Sequence, residues 1–204
     1  MRIVLLVEGR TEQAFLHHLR QYLSRHLSPM PKMEARPYNG RIPAGPMLQE
    51  AVRDLLRRRQ RPVDHVIALT DVYTGTAPPM FKSADDARAK MREWVGQDPR
   101  FHPHAAQYDF EAWLIPYWDD LRRIAGHNQA RPGADPESIN HDNPPSKRLK
   151  ALFQVGTFRG AYSKPRDADR IFRKNGLDVA IDQCPELKSL VNTILTICGA
   201  PPIP

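Results

Sequence analysis

Ile3-Val4-Leu5-Leu6-Val7 is a continuous apolar run closed by Glu8-Gly9, and it constrains the fold more than any other stretch of this chain. An alternating pattern would mark a strand with one wet face; an unbroken run marks a strand covered on both. Such a strand belongs inside a mostly parallel sheet with helices on either side. Gly9 allows a tight turn, Thr11 is placed to cap the helix that follows, and Glu12 lies in its first turn. Glu8 therefore stands at the carboxyl end of a central strand, where open α/β sheets place their ligands.

The pattern recurs twice. His65-Val66-Ile67-Ala68-Leu69-Thr70 runs into Asp71 ahead of the loop Val72-Tyr73-Thr74-Gly75. His104-Ala105-Ala106-Gln107-Tyr108-Asp109 leads into Phe110-Glu111-Ala112-Trp113-Leu114-Ile115. Strands of a parallel sheet all point one way, so Glu8, Asp71 and Glu111 are expected along one rim. Oxygen-only ligands suit hard cations, and Mg²⁺ or Mn²⁺ is the expected metal. The competing reading is that each carboxylate caps a neighbouring helix or lies in solvent. Three of them at equivalent places favour the shared site.

Between these strands the spacing of apolar residues predicts helices from Thr11 to about His26, over 47–56 and over 84–95, with a weak strand near 34–38. Pro29, Pro31, Asn39-Gly40 and Pro78-Pro79 mark the turns. The alternating order argues for an α/β core over residues 1–124. From Gly126 to Pro145 the chain is rich in Pro, Asn, Asp and Gly. Short helices near 147–153 and 167–174 and an amphipathic one over 185–198 follow, so 125–204 is expected to be a helical extension packed on the core.

At 204 residues the chain can bury a sizeable core, and no apolar run approaches a membrane span or a signal peptide. Cys184 and Cys198 form neither a disulfide framework nor a CxxC pair, and read most simply as reduced core residues of a cytoplasmic protein. Lys and Arg outnumber Asp and Glu by 30 to 23, a formal charge of +7 that favours a polyanionic partner such as nucleic acid. The surplus clusters in Arg57-Arg58-Arg59-Gln60-Arg61, around Lys147-Arg148, and from Arg170 to Lys174. The Arg57 run ends a helix, where cations suit the macrodipole, and reads first as a solvated face. His102-Pro103-His104 would put two rings on one side of a strand, but nothing is placed to complete a zinc site. His17 and His18 read as surface or rim residues, and Trp94, Trp113 and Trp118 as core anchors. No nucleophile elbow and no Gly-x-x-x-x-Gly-Lys-Ser/Thr phosphate loop is present.

Val7-Glu8-Gly9-Arg10-Thr11-Glu12 resembles the first motif of TOPRIM domains, the fold shared by topoisomerases, primases and overcoming-lysogenization-type nucleases. More closely, the chain resembles a bacterial TOPRIM-like family known as domain of unknown function 4276. The stretches that carry this are Val7 to Glu12, Leu69-Thr70-Asp71-Val72-Tyr73 and Phe110-Glu111-Ala112-Trp113-Leu114. Pro136-Glu137-Ser138-Ile139-Asn140, Pro145-Ser146-Lys147-Arg148-Leu149 and Cys184-Pro185 continue it almost to the end. The sequence departs from the TOPRIM pattern at Tyr73, where the second aspartate of an Asp-x-Asp motif is expected. Glu111 can replace that ligand if its loop returns to the same rim, or Glu12 can, one helical turn from Glu8. Without a replacement, the site would hold a single metal, or none unless substrate is bound. Tyr73 would then position a phosphate through its hydroxyl, or simply pack.

The expectation is therefore a metal-dependent phosphodiesterase acting on nucleic acid, with Glu8, Asp71 and Glu111 as ligands and Glu12 as a further ligand or base. Ser146, at a helix start, with Lys147 and Arg148 would contact phosphate, and Lys164 and Arg166 are weaker candidates for the same role. The resemblance also implies a phage-defence effector working beside an AAA-type or structural-maintenance-type ATPase. The alternative is a non-catalytic subunit that binds a partner protein or nucleotide through the acidic rim.

Overall fold

The computed structural model describes residues 1–73, 79–133, 135–138, 142–157 and 162–204; Thr74, Gly75 and Pro78 of the expected loops, and Ile139-Asn140, lie outside the described residues. Four strands form one parallel sheet: β1 (Arg2–Val7), β2 (Lys32–Pro37), β3 (His65–Asp71) and β4 (Phe101–Ala106), in the order β2-β1-β3-β4. Helix α1 (Arg10–Leu23) links β1 to β2, α2 (Pro46–Leu56) links β2 to β3, and α3 (Ala84–Val95) links β3 to β4. The chain leaves β1 toward one edge and comes back on its other side as β3, so the winding reverses between β1 and β3. Reversals of this kind open a crevice at the carboxyl ends of the strands.

Sidedness follows from the two-residue period of a strand. Ile3, Leu5, Val7, Ile67 and Leu69 join the core layer of α1 and the C-terminal helices, while Val4, Leu6, Val66 and Ala68 join that of α2 and α3. No side chain from Ile3 to Val7 is more than 3 % exposed, as an unbroken apolar run requires.

Two local expectations are corrected. β4 begins three residues earlier than the apolar pattern indicated and ends at Ala106 rather than Asp109. It contains Pro103, paired with Ala68. A proline normally marks a break because it has no N–H for the ladder, but β4 is an edge strand with one open side, where proline is tolerated. At α1 the N-cap is Gly9, not Thr11, which is buried; Glu12 Oε2 accepts the Gly9 N–H at 2.9 Å.

Beyond β4 a 3-10 helix (Phe110–Tyr117) runs into α4 (Trp118–Ala125), followed by α5 (Pro145–Val155), α6 (Lys164–Asn175), α7 (Asp178–Gln183) and α8 (Pro185–Ile197). This helical extension shares its core with one face of the sheet. Phe15, Phe110, Trp113 and Phe172 tie α1, the 3-10 helix and α6 together, with ring centroids 5.2–6.2 Å apart. Trp118 is also buried, and Trp94 packs partly buried against the α2–α3 layer. Both cysteines are free thiols, and no helix among the described residues is long and apolar enough to cross a membrane.

Gly156 follows α5 against the end of α4, where an added Cβ would lie 1.9 Å from the Ala125 carbonyl oxygen. Backbone cannot yield as a side chain does. Gly156→Ala is expected to cost about 1–3 kcal/mol in a urea titration, with the far-UV spectrum preserved.

Candidate metal centre

Glu8 and Asp71 leave adjacent strands at the point where the winding reverses. Glu8 Oε1 accepts the Thr70 hydroxyl at 2.5 Å and the Asp71 N–H at 3.0 Å. Asp71 Oδ1 in turn accepts the Phe110 N–H at 3.0 Å, tying the end of β3 to the segment beyond β4. Asp109, passed over in the sequence, joins them: its Oδ2 accepts the Ser146 N–H at 3.1 Å. Asp109 is 2 % exposed, and its Oδ1 is buried without a partner. Glu8, Glu12, Asp71 and Asp109 thus each give one oxygen to a backbone amide. The second oxygen of each accepts no hydrogen bond from another residue among the described residues.

Glu111 is different. It is fully buried, with Lys164 Nζ 2.9 Å from Oε1 and 3.0 Å from Oε2, and the Tyr162 hydroxyl donates to Oε1 at 3.3 Å. It lies on the 3-10 helix beyond the end of β4, and that helix holds it inward.

These groups feel one another. Burial, and then the charge of Glu8, push the Asp71 carboxyl well above the usual range. Burial also raises Glu8, against its bonds from Thr70 and Asp71, and raises Glu12, with Glu111 adding to the effect. Asp109 is pushed up to about 7 by burial and then by Glu111. Burial alone would weaken the Lys164 ammonium, but Glu111 and then Asp71 hold it above its ordinary value. Four neighbouring carboxylates, all hard oxygen donors, with the Asp109 Oδ1 buried and unpartnered, are the donor type that a divalent cation such as Mg²⁺ or Mn²⁺ takes. Among the described residues no three such groups are placed to hold a metal ion as the structure stands.

The remaining candidates fall around this cluster. Tyr73 donates its N–H to the Tyr108 carbonyl, and Lys147 Nζ lies 5.7 Å from the centre of its ring. Tyr108 has φ 68°, a left-handed conformation that costs a residue with a side chain, and this turn delivers Asp109 to the cluster. Ser146 lies in the first turn of α5, one residue inside its start at Pro145, and the anion at that helix start is the protein's own Asp109. Arg148 donates to the Asn143 carbonyl at 2.9 Å, and Arg166 turns to Asp167 at 2.9 Å. His102 and His104 do not share a ligand: one meets His65, the other Thr193, each at 3.0 Å. His18 is not a surface residue; it is buried against Asp169.

Lys164→Met would leave Glu111 buried without its counter-charge. Because the lysine side chain is 40 % exposed, the expected cost is about 2 kcal/mol, below the 3–5 kcal/mol of a fully buried broken pair. A denaturant titration at neutral pH measures it, and Lys164→Arg should recover part of the loss.

The chain is thus an α/β protein, a parallel four-stranded sheet flanked by helices with carboxylates at the ends of its two middle strands. The C-terminal region of the Burkholderia pseudomallei OLD protein has the same fold, with a TM-score of 0.55 at 13% identity over 96% of this chain and 98% of that one. The C-terminal region of the Xanthomonas campestris pv. campestris OLD protein matches with a TM-score of 0.51 at 16% identity, covering 97% of this chain and 95% of that one. Residues 7–195 match the family described as Domain of unknown function (DUF4276), and the chain belongs to it. Comparison with curated proteins finds no match.

Proposed function

We propose that this protein is a divalent-metal-dependent phosphodiesterase acting on nucleic acid. The observation that carries this reading is the set of half-satisfied carboxylates at the β1–β3 reversal, with Lys164 beside them. Glu8, Asp71 and Glu111 would hold Mg²⁺ or Mn²⁺, with Glu12 and Asp109 next to them. Such a cation polarises a phosphoryl oxygen and makes water more acidic. Lys164 exchanges Glu111 for a substrate phosphate and offsets the charge that develops there. Glu12, whose proton affinity is raised, accepts the proton of the attacking water. Lys147, beside Tyr73, and Arg148 hold flanking phosphates; Ser146 orients Asp109, and Arg166 stays at the periphery.

The OLD regions that share the fold are themselves parts of larger proteins. This sequence has no phosphate loop of its own, so an AAA-type or structural-maintenance-type ATPase is the partner we propose, in a cytoplasmic phage-defence system. Cleavage of duplex DNA, single-stranded DNA and transfer RNA with Mn²⁺, against EDTA controls, tests the activity; no cleavage of any polymer would overturn it.

Two observations favour a non-catalytic binding subunit: Glu111 is closed off by Lys164 and Tyr162, and Tyr73 stands where a second aspartate is expected. Calorimetry separates the two readings, because a binding subunit would take up no Mn²⁺ at the acidic cluster.

A further inference from the structure

We infer a second nucleic-acid contact at the pole opposite the acidic cluster, where an arginine turn and groove grip the phosphodiester backbone away from the reacting bond. Helix α2 ends at Leu56, and its cap residue Arg57 opens the turn Arg57-Arg58-Arg59-Gln60-Arg61. Beside it runs a groove of about 280 Å³, with Arg53, Arg57 and Arg100 around a floor that includes Leu56 and Val95. The turn leads directly into the amino end of β3, whereas Glu8 and Asp71 lie at the carboxyl ends. Strands of this length put the two places on the order of 20 Å apart.

The turn is built, not loose. Arg61 has φ 56°, unfavourable for a residue with a side chain, and Arg2 Nη1 donates to its carbonyl at 2.6 Å. The Arg2 N–H bonds Asp64 Oδ2 at 2.6 Å and fastens the exit of the turn to β1.

Its charges are also unspent. Arg25, Arg122, Arg123 and Arg173 elsewhere on the surface each pair with an aspartate. The exposed side chains of Arg57, Arg58, Arg59 and Arg61 pair with no acid among the described residues. Asp98 is the acid in the groove, and Arg100 takes both of its oxygens at 3.0 and 2.8 Å. Glu50 and Asp54 are exposed on α2 without an ion pair to these arginines.

The cations here are arginines throughout. The planar guanidinium fork meets phosphate through two parallel hydrogen bonds and is weakly hydrated, so it suits a repeating phosphodiester. At this distance the contact cannot touch the bond being cleaved. It tethers the polymer, raising the effective concentration of its other phosphates at the acidic rim.

The test reads binding, not cleavage, so it stands or falls apart from the nuclease reading. Anisotropy of a labelled duplex oligonucleotide is followed in EDTA across a salt series, for wild type and for Arg57→Gln/Arg58→Gln/Arg59→Gln. The triple variant is expected to bind at least about tenfold more weakly at low salt, with the slope of log affinity on log salt reduced by roughly 2–3. Its melting temperature should match wild type, since all three side chains are exposed. Unchanged affinity and slope would overturn the inference. So would wild-type binding to polyglutamate but not to the oligonucleotide, which would make the turn a docking point for an acidic protein.

Discussion

Glu8→Gln and Asp71→Asn are each expected to lower Mn²⁺-dependent cleavage by at least about 10²–10³-fold, the loss that follows removal of one preorganised electrostatic group. The amide oxygen that each substitution leaves in place can still accept the bonds from Thr70, Asp71 or Phe110 that hold these side chains. What disappears is the charge on the outward oxygen, so the fold should survive while cation affinity falls. Calorimetry with Mn²⁺ run beside the cleavage assay separates the effects. Full activity and full Mn²⁺ affinity in both variants would place any chemistry elsewhere on the molecule.

The metal-free protein should lose stability as the pH rises. Asp109 has a proton affinity raised from 3.8 to about 7, so between those values the folded state holds a proton that the unfolded chain has released. The stabilisation is complete below pH 3.8 and is lost as the pH passes through about 7. A shift of this size corresponds to a few kcal/mol, on the order of 2–4. Asp71 acts in the same direction. Asp109→Asn should flatten the slope of stability on pH and make the metal-free protein more stable than wild type at pH 8. Mg²⁺ should restore wild-type stability at pH 8, and EDTA should reverse the gain, in thermal melts. A wild-type protein equally stable at pH 5.5 and 8 without metal would contradict this account of the cluster.

Much of the frame was legible because β1 and β3 are buried on both faces and their runs are unbroken. Once both strands were parallel and adjacent, Glu8 and Asp71 had to meet. β4 was misplaced because its central proline hides an edge strand, and α7 was invisible because six residues carry barely two turns of periodicity. Asp109 was missed for a different reason. The strand-like reading of His104 to Asp109 gives it no role beside Glu111, and only the left-handed turn at Tyr108 and the amide of Ser146 carry it into the interior. The spacing Asp109-x-Glu111, two acids just inside an otherwise apolar segment, was the available signal. Lys164 reads as a phosphate contact in the sequence, but its present partner lies 53 positions earlier in the chain, beyond any local pattern.

Proline sits in both outer strands of the sheet: Pro37 closes β2 and Pro103 interrupts β4. Each removes a donor from a border that would otherwise offer a ready template to a neighbouring chain. At high concentration, or early in synthesis, two such molecules therefore meet without zipping border to border. The sheet is in this way guarded at both borders against pairing with a second copy.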